Sequence, residues 1–282
     1  MSHSPDESNP TPKAMPIRIR TVMVPLFGAA LYYAVILAVN TVAVSVLGVD
    51  FDRYRFTVHA VTILVLLPAV LLWLRFSEKF EDKRVYRESV SPGKILAGIT
   101  IALGLLGITL LYFYLVEEVL SSFSFVQESV EEYKKWVQAD PLSLLEKIMY
   151  AVTLTVLVPI AEELIFRGII LQEFLSTMKP VVAVILASVF FGIIHMQPIQ
   201  VIYAFFCGAV ISAVYVLSRS IFLSILLHGI YNFFGSVVPT MLPANGSWAN
   251  TLGFVYLGSI VLSVVAVVYL RRSQIRKSID GG

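Results

Sequence analysis

An all-α, polytopic membrane bundle of about eight transmembrane helices is the architecture predicted by this 282-residue sequence. Hydrophobic residues make up 57% of the chain, charged residues only 14%, and the mean hydropathy is +0.82. Apolar runs of roughly 17 to 25 residues, the length a helix needs to cross hydrocarbon, recur along the chain. Charge gathers between those runs, apart from one cluster discussed below.

Residues 1–16 are rich in Ser, Pro, Asn and charge without apolar periodicity, so a disordered cytoplasmic tail is expected there. A single bundle is expected over 17–277, with spans at 21–48, 57–76, 95–116, 148–172, 181–197, 199–217, 221–239 and 251–270, and a short tail at 278–282. The first span follows a polar stretch, is too long for a signal-peptide core and has no small-residue cleavage site after it. It is therefore expected to be retained. The charged residues 77–94 predict a solvated loop, with contact to anionic headgroups as the alternative. Val126, Val130, Tyr133 and Val137 recur at helical spacing between Glu128, Glu131, Glu132 and Lys134, which predicts an extramembrane amphipathic helix within 117–147. Packing of that helix against the bundle is the simpler role, with Trp136 suited to an interface.

With eight spans both termini share a side, and fifteen Lys and Arg residues fall on it against five on the other. Arg167, within the fourth span, completes the 21. The positive-inside rule then puts both termini in the cytoplasm of an integral, multi-pass protein, which is expected in the plasma membrane if the host is prokaryotic. The net charge of +2 is dispersed, which argues against nucleic acid as a partner. A lone cysteine, Cys207, excludes an intrachain disulfide and is expected in the core.

Ionisable groups in a bilayer are costly and mark functional sites by default. The fourth span carries Glu162, Glu163 and Arg167, the fifth His195, and the seventh His228 and Asn232. Residues four apart share a helix face, so Glu163 and Arg167 can pair, and mutual neutralisation is the simpler account of both. Glu162 lies about 100° round the axis and has Phe166, not a cation, four residues on. Its partner must come from another span, and His195 and His228 are the candidates. His228 and Asn232 project from one face, an arrangement that suits two donors to a developing oxyanion or, equally, helix-to-helix hydrogen bonding. Pro159 is expected to kink the helix and free backbone groups beside the glutamates.

Glu162-Glu163 with Arg167, Phe191 with His195, and His228 with Asn232 stand in this order with three residues inside each pair. Over about 148–239 the sequence thereby resembles the CAAX protease and bacteriocin-processing family of intramembrane endopeptidases, which includes type II CAAX prenyl proteases and abortive-infection proteins. The resemblance implies that Glu162 and His195 hold and activate water, that His228 and Asn232 stabilise the oxyanion, and that Glu163, Arg167 and Phe191 support the site. It implies a membrane-associated or prenylated CAAX-type protein or peptide as substrate.

Metal dependence stays open at this point. Glu162, His195 and His228 could form a two-His, one-carboxylate zinc set, yet the His-Glu-x-x-His helix motif is missing. The expectation is no obligatory cofactor, with zinc possible. All six aspartates fall outside the spans and no Gly-x-Ser-x-Gly elbow occurs, so aspartyl and serine mechanisms lack their residues. A proton-coupled transporter would show paired halves, whereas the ionisable residues inside the spans lie in the second half, apart from His59 and Arg75 near the ends of the second span. A non-proteolytic membrane regulator or immunity-type scaffold is the alternative function.

Overall fold

A computed structural model describes residues 19–80, 85–137, 143–242 and 247–280. The expected tail at 1–16 lies outside the described residues, as does the side chain of Trp136. Nine helices make up the described fold: α1 Ile19–Val46, α2 Phe51–Phe80, α3 Pro92–Val119, α4 Ser124–Val137, α5 144–175, α6 Pro180–Ile193, α7 Pro198–Ser218, α8 Ile221–Met241 and α9 Ser247–Asp280. Their starts follow from local sequence. Pro92, Pro180 and Pro198 occupy first-turn positions, where the missing N–H costs nothing. Ser91 and Ser143 cap α3 and α5 by accepting from the backbone of Lys94 and Glu146. Arg219, at φ 52°, takes the left-handed conformation that ends α7.

Six of these helices, α1, α2, α3, α7, α8 and α9, are long and apolar enough to cross a membrane, which makes this an integral, multi-pass protein. The expected count of eight is not reached. Helix α5 carries Glu146, Lys147, Glu162, Glu163, Arg167 and Glu173, too many charges for an ordinary span. Helix α6 has 14 residues, so it rises only ~21 Å against a hydrocarbon layer of ~30 Å.

Helix α5 is central, and its neighbours can be read by register. Arg20 meets Glu173, the Gly28 backbone faces Ile165 and Ile170, and Tyr32 packs on the Val158 and Ala161 cluster, so α1 runs antiparallel to α5. Phe56 meets Glu146, Ile63 meets Val158 and Ala161, and Leu74 lies against Gly168, so α2 runs parallel to it. On the far side α3, α7, α8 and α9 form a second core around Ile101, Leu105, Ile211, Leu223 and Leu227. Helices α3 and α9 approach at backbone distance. A Cβ on Gly107 would sit 2.4 Å from the Tyr256 carbonyl oxygen, so only glycine permits this contact.

Two extramembrane segments differ in how well they were anticipated. Helix α4 packs on the bundle as expected: Ser129 is buried, and the Tyr133 hydroxyl lies 3.0 Å from that of Tyr203. Of the loop expected to be solvated, residues 81–84 lie outside the described residues, and the described stretch 85–91 is docked instead. Arg87 and Ser220 form an antiparallel bridge, Tyr86 stacks on Tyr215 at 5.1 Å, and Arg219 lies 4.1 Å over the Tyr86 ring. Lys94, buried, donates to the Ser218 carbonyl at the end of α7. These charges read as solvated in sequence because their partners are about 130 residues away.

The Gly107 contact is open to a direct check. Gly107→Val is expected to lower unfolding stability in detergent by about 1–3 kcal/mol through overpacking. Gly258→Ala, whose Cβ would meet nothing within 4 Å, should leave the thermal midpoint unchanged.

Candidate active site

The glutamates sit where α5 departs from regular α geometry. The stretch Thr153–Leu157 is π-helical, and the Val158 N–H reaches back to the Thr153 carbonyl. Pro159 has no N–H to offer, so the Leu154 carbonyl lacks a backbone donor in either register. Asn232 Nδ2 supplies it at 2.9 Å. The helix widens again over Leu164–Leu171, directly after Glu163. Such π segments recur at functional sites because they displace side chains that a regular helix would hold in line. Of what was expected of Pro159, the freed backbone group is seen, and that group ties α8 to α5.

A close backbone contact completes that tie. A Cβ on Gly229 would lie 2.6 Å from the Thr155 carbonyl, so glycine lets α8 approach and brings His228 against the glutamates. His228 Nδ1 lies 2.8 Å from Glu163 Oε1, and its Nε2 lies 3.8 Å from Glu162 Oε2. The first distance is a hydrogen bond and the second is ion-pair range. With Nδ1–H given to Glu163, the ring presents Nε2 toward Glu162.

Glu163 therefore has two partners. Arg167 Nη1 meets the same Oε1 at 2.7 Å, the i to i+4 pair expected from spacing. Arg167 Nη2 donates to the Gly208 carbonyl on α7 at 3.0 Å, and its guanidinium lies 4.7 Å over the Phe191 ring of α6. Phe191 also touches both histidine rings, His195 at 5.0 Å and His228 at 6.0 Å between centroids. Accessibility separates the carboxylates. The Glu163 and Arg167 side chains are 0% and 1% exposed, whereas that of Glu162 keeps 11%. Glu162 is the more accessible of the two carboxylates.

His195 is not inside a span. It lies in the turn between α6 and α7, ahead of Met196 at φ 61°, because α6 ends at Ile193. Its Nδ1 engages the Phe191 carbonyl at 2.7 Å, which fixes Nδ1 as the donor and leaves Nε2 as an acceptor. Among the described residues His195 forms no hydrogen bond or ion pair with Glu162, and no three His, Cys, Asp or Glu side chains converge as a metal site requires.

Several buried or partly buried polar residues escaped sequence reasoning. Buried Glu146 accepts from the Phe56 N–H at 2.9 Å and from the Thr57 hydroxyl, and buried Glu173 pairs with Arg20 at 3.2 Å. Each falls just outside the apolar window that defined the fourth span, which is why they were overlooked. Tyr32 and His59, on α1 and α2, lie within electrostatic reach of the Glu162 carboxylate. The Tyr33 hydroxyl donates to the Ile194 carbonyl beside His195. Single polar residues in the first two spans carry no spacing signal.

A polytopic helical membrane protein with a buried cluster of two glutamates, an arginine and a histidine is the class that fold and site define. Residues 144–234 match the family model described as type II CAAX prenyl endopeptidase Rce1-like, and this segment is a domain of that family. The match takes in α5 to most of α8, and so every residue singled out from the three motifs. No curated protein and no solved structure matches the chain.

The shared Glu163 carboxylate predicts a specific stability pattern. Arg167→Met leaves a buried carboxylate unbalanced and is expected to cost about 3–5 kcal/mol. Adding Glu163→Gln should restore part of that loss. Thermal unfolding of the single and double variants in detergent measures the coupling.

Proposed function

We propose that the protein is an intramembrane endopeptidase that cleaves a membrane-associated or prenylated CAAX-type protein or peptide. The observation that carries this reading is the division of labour between adjacent carboxylates: Glu163 is locked by Arg167 and His228, while Glu162 stays partly accessible beside His228 Nε2.

In this scheme Glu162 takes a proton from water held between it and His195 Nε2. The resulting hydroxide adds to the scissile carbonyl. The oxyanion accepts hydrogen bonds from His228 Nε2–H, in its imidazolium form, and from the second Nδ2 hydrogen of Asn232, whose first is directed to Leu154. Collapse of the tetrahedral intermediate breaks the C–N bond, and Glu162 returns its proton to the leaving amine. Glu163, Arg167 and Phe191 touch no reacting atom; they fix His228, as a second shell of hydrogen bonds fixes any preorganised site. The lipid bilayer delivers a substrate carrying an apolar anchor to a site enclosed by helices. Both termini facing the cytoplasm would put the docked 85–91 segment on the same side, where a cytoplasmic C-terminal motif arrives.

Glu162→Gln is expected to abolish cleavage of a farnesylated CAAX peptide while leaving the thermal midpoint near that of wild type. Chromatography and mass spectrometry of the products provide the measurement. Identical products from wild type and variant would overturn the assignment. Hydrolysis is also expected to survive exhaustive chelation, and stoichiometric zinc required for turnover would refute the metal-free scheme.

A further inference from the structure

Helices α1 and α2 lie outside the matched segment, yet their register against α5 converges on Glu162. On the antiparallel α1, the Gly28 backbone faces Ile165 and Ile170. One turn further along the same face comes Tyr32, and one turn back along α5 from Ile165 come Ala161 and Glu162. Tyr32 accordingly packs on the cluster built from Ile63, Val158 and Ala161. On the parallel α2, Ile63 is fully buried in that cluster, and His59 lies one turn before it on the same face. Side chains on a helix lean toward its N-terminus, so Glu162 leans back toward the level of Val158. The charge of Glu162 acts on both groups, and among the described residues neither the Tyr32 hydroxyl nor the His59 ring is drawn into a hydrogen bond elsewhere in the protein.

We infer that Tyr32 and His59 are positioning residues for Glu162, supplied by the first two helices to complete a site whose motifs all lie on α5 to α8. The inference rests on Glu162 being the general base. Two dipolar groups brought toward the carboxylate by α1 and α2, helices other than the one that carries His228, hold it in one rotamer, and so hold its accessible oxygen toward the water. The Tyr33 hydroxyl bond to Ile194 pins α1 next to the His195 turn, so the same helix aligns both residues that hold the water. A packing role alone would tolerate loss of the polar atoms; a positioning role would not.

The test has two arms on the full chain in detergent micelles. In the first, histidine side chains carry 15N and tyrosine rings 13C at the hydroxyl-bearing carbon, and spectra are compared between wild type and Glu162→Gln. His59 and Tyr32 signals are expected to move while that of Tyr256, packed near Phe234, stays. Stationary His59 and Tyr32 signals overturn the inference whether or not the protein hydrolyses peptides. In the second arm, Tyr32→Phe and His59→Gln are assayed on the farnesylated peptide. A kcat lowered about tenfold with KM within about twofold is expected, as for loss of orientation rather than of substrate binding. Unchanged kcat in both variants, with wild type active and Glu162→Gln inactive, refutes positioning while leaving the protease assignment standing.

Discussion

The buried carboxylate of Glu163 is the constraint on which the rest of the site depends. One oxygen receives both Arg167 and His228, and the guanidinium continues to the Gly208 carbonyl and the Phe191 face. Through this single centre α5 is joined to α6, α7 and α8. An ion this deep is tolerable because Arg167 balances its charge and one oxygen takes two close contacts, although Glu163 Oε2 and Arg167 Nε are buried without a hydrogen-bond partner among the described residues. That requirement is also what makes the arrangement unique, since a slip of any one helix would strand a charge in an apolar core.

A second tie uses backbone rather than charge. Pro159 removes a donor, the helix widens, and the orphaned Leu154 carbonyl is taken by Asn232. The close passage of Gly229 over Thr155 completes a contact in which α8 lies nearly backbone to backbone on α5. Apolar burial contributes little to association between helices in lipid, where the surroundings are as apolar as the side chains. Close packing and satisfied polar groups therefore do most of the work, and in this bundle they cluster around the glutamates. The arrangement links fold to function: the contacts that hold α8 in place also aim His228.

The Glu163 and Arg167 pair was legible because both partners sit on one helix, where spacing fixes geometry. The bond from His228 to Glu163 was not. Sequence reasoning offered His195 and His228 as candidate partners for Glu162, the carboxylate without a local partner, but the His228 ring spans both carboxylates, and its shorter contact is to the already paired residue. His195 was expected in a span and lies in a turn, because hydropathy averages over a window and cannot see a helix end at Ile193. The docking of 85–91 on Arg219 and Ser220 was invisible for another reason. Charge in a sequence reads as solvated until its distant partner is known.

The sequence by itself determined that this is a multi-pass helical membrane protein and where ionisable residues stand inside its apolar runs, since hydropathy is local and a charge inside an apolar run is conspicuous wherever it falls. It also determined the Glu163 and Arg167 pairing, because an α-helix turns by a fixed angle per residue. Only the tertiary structure decided that Glu163 and not Glu162 anchors His228, that six helices rather than eight have the length and composition of ordinary spans, and that Tyr32 and His59 approach the site from helices without a motif. Those outcomes depend on the register between helices. Register is set by bulges at Pro159, by glycine contacts and by buried polar pairs acting together, and no single stretch of sequence contains all of them.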